Sequence, residues 1–144
     1  MRIRLVAKPG DLSPYMHNIL DTIDHECFPE DPLYNKIGCY WWVVYDCGLP
    51  IAFGGLKKVD SDTVFLCRVG VRVHARGRGL QKRLIRTRMN YIKNNMEEIN
   101  EAITYTITEN PASSNSLIAE GFKLYVPESP WYEDEDVLYW YRKC

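Results

Sequence analysis

Alternating polar and apolar residues mark the strands of this chain, and apolar residues recurring every three or four positions mark its helices. Alternation is clearest at 2–6 and at 103–108. Apolar positions spaced as one helical face follow Pro14 and recur from about Gly77 to Asn95. The pattern therefore predicts strands and helices interspersed along the chain, which is typical of an α+β or mixed α/β fold.

Turn-forming residues set the limits of these segments. Strands are predicted at 2–6, 39–46, 50–59, 63–73, 103–108, 122–126 and 137–142. Helices are predicted from about 14, over about 77–95 and over 113–119, with a short helix or loop at 33–37. Cys47-Gly48 predicts a hairpin turn, and Gly54-Gly55 predicts a bulge or a close backbone approach.

Length and charge narrow the class of protein. The 144 residues predict one domain spanning 1–144. A net charge of −1 argues against general nucleic-acid binding. Charge is nevertheless uneven, because 68–93 contains bases and no acid whereas 128–136 contains acids and no base. We therefore expect an anionic ligand near the centre of the chain and a cationic one near its C-terminus.

The cysteines and the apolar runs indicate a compartment. Five cysteines without a C-x-x-C pair or metal-ligand spacing predict reduced thiols, a cytoplasmic protein and no bound metal. The chain contains no long apolar run, so neither a signal peptide nor a membrane span is expected.

The stretch 71–85 carries the strongest chemical signal. A β-branched run leads into a turn with Gly77 and Gly79, and an amphipathic helix follows. The first N–H groups of a helix lack internal partners and lie at the positive end of its dipole. Together with flexible glycines, these groups predict a pyrophosphate site. The alternative is a solvated basic helix start with a structural glycine turn.

Three stretches resemble the Gcn5-related N-acetyltransferase (GNAT) superfamily. The first, at 76–81, is similar to the family pattern of Arg or Gln, two residues, Gly, one residue, then Gly or Ala. It matches at Arg76 and Gly79 and departs at Gln81, which could crowd a pyrophosphate or donate to it. The second, at 110–122, resembles the family segment from Asn to Gly-Phe, and the third, at 27–32, resembles a substrate-side loop.

This resemblance covers essentially the whole chain and implies a fold and an activity. The implied fold is a central, mostly antiparallel sheet of six to seven strands flanked by about four helices. The implied reaction transfers an acetyl group from acetyl-CoA to a primary amine, by direct attack in a ternary complex. The acceptor would be a small amine, a protein lysine or an N-terminus, and families of this kind commonly form homodimers.

The resemblance also implies which residues bind acetyl-CoA. The turn would hold the pyrophosphate, the strand before it would pair through its backbone with the pantetheine, and the segment at 110–113 would contact the pantetheine arm. The residues so assigned are Val71, Val73, Arg76, Gly77, Arg78, Gly79, Leu80, Gln81, Lys82, Asn110 and Ser113. Asn110 and Ser113 are also suited to capping the short helix after Pro111.

The catalytic groups are left open by the residues themselves. Ser113 matches the position of a hydroxyl that could protonate the leaving thiolate, whereas Leu117 stands where many relatives have Tyr and cannot donate a proton. An N–H near Val71 would polarise the thioester carbonyl. Candidates for the general base are Glu109, Tyr105, Glu26, His25 and His74, and water is a further alternative.

The acceptor side is assigned to two segments. Glu26 and Phe28 belong to the first, and Trp131 and Tyr132 belong to an acidic, aromatic loop that could attract an amine or simply be solvated.

Two other functions of the protein stay open. A catalytically degenerate GNAT fold would bind acyl-CoA without turnover, and a nucleic-acid-binding module would use 77–93, although one face of that helix must pack in the core.

Overall fold

The computed structural model describes residues 1–32, 36–130 and 136–144. Seven strands form one sheet: β1 Arg2–Ala7, β2 Tyr40–Asp46, β3 Leu49–Lys58, β4 Thr63–Val71, β5 Glu101–Ile107, β6 Lys123–Tyr125 and β7 Val137–Lys143. The α-helices of the described residues are α1 Pro14–Cys27, α2 Leu80–Asn95 and α3 Pro111–Ala119. Two 3₁₀ helices span Lys36–Gly38 and Val73–Ala75. The mixed α/β prediction is confirmed, with three α-helices in the described chain where about four were expected.

The strands follow the order β1-β2-β3-β4-β5-β7-β6 across the sheet. Every neighbouring pair is antiparallel except β4 and β5, which α2 connects as a parallel crossover. Cys47 and Gly48 both have positive φ, +50° and +83°, and join β2 to β3 in the tight hairpin predicted there. No helix in the described part of the chain has the length and apolar character needed to cross a membrane.

The core lies on both faces of the sheet. The apolar stripe of α2, including Leu84, Ile85 and Ile92, packs on one face with α3 beside it. On the other face α1 covers β3 and β4, where Trp41 is fully buried and donates from Nε1 to the Lys36 carbonyl oxygen at 2.7 Å. Each such buried aliphatic side chain contributes about 1.5–3 kcal/mol.

Glycine in β3 makes room for this packing. The Trp41 ring occupies the place where a Cβ on Gly55 would stand, so only glycine fits there. Of the bulge or close approach expected at Gly54-Gly55, the close approach is made by the Trp41 side chain, and the register shift between β3 and β4 at this point places its extra residue in β4.

Helix starts agree with the capping residues, with small differences in bounds. Helix α1 begins at Pro14, as predicted, and Ser13 caps it, because Ser13 Oγ accepts from Met16 N at 3.1 Å. The helix expected from about Gly77 begins at Leu80, because the glycine turn occupies the preceding residues. The short helix begins at Pro111, two residues earlier than expected. Of the segment 33–37, residues 33–35 lie outside the described residues.

Candidate active site

A cleft opens where β4 and β5 part. The two strands pair only at Thr63–Phe65 against Glu101–Ile103. One further hydrogen bond joins the strands just past this pairing, from Thr104 Oγ1 to the Leu66 carbonyl oxygen at 2.9 Å, and it marks the narrow end of the cleft. Beyond this point β4 and β5 border a cavity of about 960 Å³ that reaches the first turn of α2. This separation of the two strands frees backbone groups of β4 to pair with a ligand.

A β-bulge in β4 accompanies this separation. Gly54 pairs with Val69 and Leu56 pairs with Leu66, so β4 has one more residue than β3 between these two pairs. A bulge bends its strand and increases the local twist. The bulge therefore lies where β4 must turn away from β5 to open the cleft.

Arg88 of α2 binds the carbonyl groups of this bulge. Its side chain is 1% exposed and donates to the carbonyl oxygens of Gly55 at 2.9 Å, Cys67 at 3.2 Å and Leu84 at 3.0 Å. Burial lowers the pKa of Arg88 to about 10, which leaves the guanidinium charged at neutral pH. Sequence reasoning placed Arg88 in the basic run and missed this role. The available signal was its position four residues after Leu84, on the apolar face of the helix.

The turn before α2 has the geometry of an anion site. Gly77 and Gly79 have φ of +80° and +72°, a left-handed conformation that glycine adopts without steric penalty. Gly79 is the N-cap and supplies no side chain, and the first bond of the helix runs from Arg83 N to the Gly79 carbonyl oxygen at 3.1 Å. The N–H groups that begin α2 at Leu80 therefore have no intrahelical acceptors, and this helix end can bind a phosphate.

The three basic side chains assigned to the pyrophosphate have different surroundings. Arg76 lines the cleft, and its Nε donates to the Val71 carbonyl oxygen at 3.0 Å. Arg78 forms an ion pair with Asp46, 3.1 Å between Nη1 and Oδ2. Lys82 is exposed, and neither Lys82 nor Arg78 belongs to the cleft lining. Arg76 is therefore the charge from this turn that the structure brings to the cleft.

The two valines assigned to the pantetheine also differ. Arg72 N donates to the Ile51 carbonyl oxygen at 3.0 Å, and backbone groups alternate sides along a strand, so Val71 turns its N–H and C=O toward the cleft. The strand predicted through Val73 is wrong, because β4 ends at Val71. Val73 begins a 3₁₀ helix closed by a bond from Ala75 N to the Arg72 carbonyl oxygen, and its side chain is 72% exposed.

The start of α3 joins the start of α2 through side chains. Asn110 Oδ1 accepts from Ser113 N at 3.2 Å, so of the two residues suited to capping α3 it is Asn110, and not Ser113, that caps the helix. Ser113 Oγ instead accepts from Gln81 Nε2 at 2.8 Å, and Ser116 Oγ donates to Gln81 Oε1 at 3.4 Å. All four side chains line the cleft. The Gln81 amide, which was expected to crowd or bind a pyrophosphate, is bonded to the serines of α3.

The structure brings one of the candidate bases to the cleft. Tyr105 lines it and stacks on Phe65, with ring centroids 6.0 Å apart and an interplanar angle of 8°. Glu109 is exposed outside the cleft lining, and Glu26 is exposed and pairs with Arg72, 2.7 Å between Oε2 and Nε. The candidates His25 and His74 are likewise exposed and outside it.

Phe28, which was assigned to the acceptor side, lines the cleft on the side toward α1, and sequence reasoning missed its neighbour Arg68. The Arg68 guanidinium lies 4.3 Å from the Phe28 ring centroid. It also pairs with Asp24 at 3.0 Å and with Asp31 at 2.6 Å, which fixes the segment after α1 against β4. Trp131 and Tyr132, the other residues assigned to the acceptor, lie outside the described residues.

A parted pair of parallel strands beside an uncapped helix end defines the class of this fold, and the comparisons agree. The model of the acetyltransferase (GNAT) family matches residues 13–117. The chain therefore belongs to the GNAT acetyltransferase family. A comparison with curated proteins gives no match.

Solved structures of low identity share the fold. The ribosomal-protein-S18-alanine N-acetyltransferase from Escherichia coli superposes with a TM-score of 0.77 at 13% identity, covering 99% of this chain and 92% of that one. A GNAT family acetyltransferase from Elizabethkingia anophelis with acetyl-CoA bound gives 0.74 at 14%, covering 99% and 97%. Spermidine N-acetyltransferase from Vibrio cholerae in complex with CoA and spermine gives 0.68 at 16%, covering 99% and 94%.

Proposed function

We propose that this protein is an N-acetyltransferase that transfers the acetyl group of acetyl-CoA to a primary amine by direct attack in a ternary complex. The observation that carries the proposal is the separation of β4 from β5 beside the uncapped start of α2. Two structural neighbours support it through their ligands, one with acetyl-CoA and one with CoA and spermine.

The cleft offers groups for each part of such a cosubstrate. The backbone N–H groups at the start of α2 would bind the pyrophosphate, with Arg76 adding charge. The C=O of Val71 would accept from a pantetheine amide as a neighbouring strand does. Asn110 caps α3 and reaches the cleft, so its side chain would border the pantetheine arm.

The reaction forms one bond and breaks one. A neutral amine attacks the thioester carbonyl carbon, a C–N bond forms, the C–S bond breaks, and the amine proton ends on the departing sulfur. The Val71 N–H would stabilise the developing negative charge on the carbonyl oxygen. Ser113 Oγ accepts a hydrogen bond from Gln81, so its own O–H remains to donate to the thiolate, and the proton lost by the amine then restores the hydroxyl, so that one proton in all passes from nitrogen to sulfur.

A catalytically inactive acyl-CoA-binding protein is the second candidate function. The observation that favours it is Leu117, which is 5% exposed at the position where many relatives carry Tyr. Glu109, expected near the amine, is exposed outside the cleft lining. An inactive protein would bind acetyl-CoA and release no thiol with any amine.

Calorimetric titration with acetyl-CoA tests the binding step. We expect the wild-type protein to bind, and Arg76→Ala to weaken binding about tenfold or more, because a charge-assisted contact contributes roughly 1.5–3 kcal/mol. Arg83→Ala is the matched control, since Arg83 is exposed on α2 outside the cleft lining. Wild-type protein that gives no heat of binding would refute the proposal.

The proposed compartment is the cytoplasm. The five cysteines are all free thiols, which supports a reducing environment.

Thiol release from acetyl-CoA, measured across a panel of amines, distinguishes the active enzyme from the inactive binding protein.

A further inference from the structure

Two consecutive side chains of the β4 bulge face the same helix. Cys67 packs with the apolar cluster of α1, and Arg68 pairs with Asp24 of that helix at 3.0 Å. Successive side chains of a regular strand point to opposite faces of the sheet. A bulge, with two residues opposite one, interrupts this alternation and redirects a side chain. The bulge therefore turns Arg68 toward α1, on the face of the sheet opposite α2.

The Arg68 guanidinium joins the end of α1 to the segment that follows it. Besides the buried Asp24, it bonds to both the carboxylate and the carbonyl oxygen of Asp31, and it lies over the Phe28 ring. A guanidinium can bond several acceptors in fixed directions and stack on a ring at the same time. Because 16% of the Arg68 side chain is exposed, solvent screens these contacts less than contacts on an open surface. One side chain thus fixes residues 28–31 against β4.

A second arginine anchors the same helix end without contacting the cleft. Asp24 and Glu26 lie in the last turn of α1, where the helix dipole disfavours carboxylates. Arg68 binds the first of them, and Arg72 binds the second at 2.7 Å between Nε and Oε2. The Arg72 guanidinium also bonds to the Pro50 carbonyl oxygen, and neither Arg72 nor Glu26 belongs to the cleft lining. Arg72 therefore anchors α1 alone and serves as a comparison for Arg68.

The residues that Arg68 holds form one side of the cleft. Phe28, Asp31 and Pro32 line it from the face of the sheet that α1 covers, together with Arg68 itself. The starts of α2 and α3, which would bind the pyrophosphate and border the pantetheine, line it from the other face. Direct attack requires the amine to reach the thioester carbon from a side that the cosubstrate leaves open. The acceptor would therefore bind against the side lined by 28–32.

We propose that Arg68 is a positioning residue for the acceptor: it holds Phe28 and the segment up to Pro32 as a fixed wall against which the amine binds. This inference rests on the proposed N-acetyltransferase function and adds a residue that acts on its second substrate. A wall that is fixed before binding removes the cost of ordering it when the acceptor arrives. Without the Arg68 contacts, only molecules with the wall in place would bind the amine, and KM for the amine would rise as that fraction falls.

Two arginine-to-lysine variants test this role. Thiol release from acetyl-CoA is measured with spermidine, phenethylamine and lysine amide as amine probes. Lysine keeps the charge but lacks the fork that spans Asp24 and Asp31. We expect Arg68→Lys to raise KM for each amine that the wild type acetylates about tenfold, and to leave KM for acetyl-CoA within about twofold. Arg72→Lys is the matched control, and it should lower stability without changing either KM.

Asp31→Ala tests the same contact from its exposed side. The Asp31 side chain is 77% exposed, so its removal leaves the buried pair of Arg68 and Asp24 in place. We expect KM for the amine to rise about threefold, because an exposed ion pair contributes less than a buried one. Adding Asp31→Ala to Arg68→Lys should have no further effect, since both changes remove one contact. Glu98→Ala, which removes an exposed carboxylate paired with Lys58 at 2.9 Å outside the cleft lining, should leave both KM values unchanged.

Hydrogen exchange gives a readout that needs no turnover. Asp31 N donates to the Phe28 carbonyl oxygen at 3.2 Å within the proposed wall. With no amine present, the Asp31 amide should exchange about tenfold faster in Arg68→Lys than in the wild type or in Arg72→Lys, because release of the wall opens this bond. Thermal melting of each variant reports whether it folds.

The outcomes separate the two proposals. Equal KM values for the amines in Arg68→Lys and Arg72→Lys overturn the positioning role and leave the acetyltransferase proposal standing. An equal rise in KM for acetyl-CoA, or an Asp31 amide whose exchange is unchanged in Arg68→Lys, does the same. Absence of thiol release from the wild type with every amine of the panel overturns the acetyltransferase proposal, and the positioning role with it.

Discussion

Gln81 and Ser113 are 32 positions apart in the chain and share a hydrogen bond of 2.8 Å from the Gln81 amide to the Ser113 hydroxyl oxygen. The bond joins the first turn of α2, which would hold the pyrophosphate, to the first turn of α3, which would lie beside the thioester. It fixes the Ser113 hydroxyl as an acceptor on one side, so its proton is directed elsewhere. Residue 81 is thus a positioning residue for Ser113 in the proposed reaction.

Replacing either residue should affect turnover more than cosubstrate binding. We expect Ser113→Ala to lower kcat about 10²-fold with KM for acetyl-CoA nearly unchanged, because it removes a proton donor to the thiolate. Gln81→Leu should lower kcat by a smaller factor and reduce stability by about 1 kcal/mol, the net value of one hydrogen bond. Steady-state kinetics and thermal melting measure the two effects.

Ser114→Ala is the control for this pair. Ser114 also lies on α3, and its hydroxyl bonds to Thr106 at 3.0 Å without belonging to the cleft lining. It should lose stability and keep kcat. If Ser113→Ala and Ser114→Ala had equal kcat, Ser113 would be structural only.

Substitution of Gly79, the residue before α2, should affect acetyl-CoA binding as well as the stability of the protein, whereas substitution of Gly10 should affect stability alone. Gly79 and Gly10 both have positive φ, +72° and +87°, and a Cβ at either would stand in open space. Alanine at either site should cost about 1–2 kcal/mol of backbone strain. Only Gly79→Ala should also weaken acetyl-CoA binding, since it distorts the helix start that holds the phosphates. Melting curves and calorimetry compare the two variants, and equal affinities would argue against a phosphate site at Gly79.

We expect the hydrogen bonds of the buried Arg88 to the β4 bulge to maintain the shape of the cleft. Lysine keeps the charge but cannot reach the carbonyl groups of Gly55 and Cys67 in the same geometry. We expect Arg88→Lys to lower stability by about 1.5–3 kcal/mol and to weaken acetyl-CoA binding about tenfold. Arg86→Lys, on the exposed side of α2 with Glu120 as its partner, should change stability by about 0.5 kcal/mol or less. Arg88→Lys that melts and binds like Arg86→Lys would show that the bulge does not need this side chain.

Two thiols in the cleft wall predict a pH-dependent reactivity. The sulfurs of Cys39 and Cys67 are 3.8 Å apart. The neighbouring Cys39 thiol and burial raise the pKa of Cys67 well above its usual value. Cys67 therefore stays protonated at neutral pH, and the rate of maleimide labelling there should rise about tenfold for each pH unit from 7 to 9, the range below its pKa. Mass spectrometry of labelled peptides measures the rate, and a rate at Cys67 that levels off below pH 8.5 would contradict the raised pKa.

Local patterns in the sequence predicted most of the secondary structure. Ser13 and Pro14 favour the start of α1, and Cys47-Gly48 predicts the β2–β3 hairpin. Both signals are local, because capping and turn conformations depend on a few consecutive residues. The end of β4 was missed because Val73 favours a strand by its side chain, whereas the 3₁₀ turn is set by hydrogen bonds of the backbone.

Distant contacts decided which charged and polar residues meet. Arg78 and Arg76 look alike in the sequence, yet Arg78 pairs with Asp46, 32 positions away, and Arg76 lines the cleft. Lys57 and Phe65 become neighbours only through the pairing of β3 with β4. No periodicity specifies such pairs, because each depends on the register of the strands.

By itself, then, the sequence determined the elements and the glycine turn before α2, since these follow from local propensity and backbone geometry. The tertiary structure alone decided that β4 parts from β5, that Arg88 lies under the bulge and that Gln81 bonds to Ser113. The physical reason is that these contacts join segments distant in sequence, and their partners are chosen by packing of the whole sheet against α2 and α3.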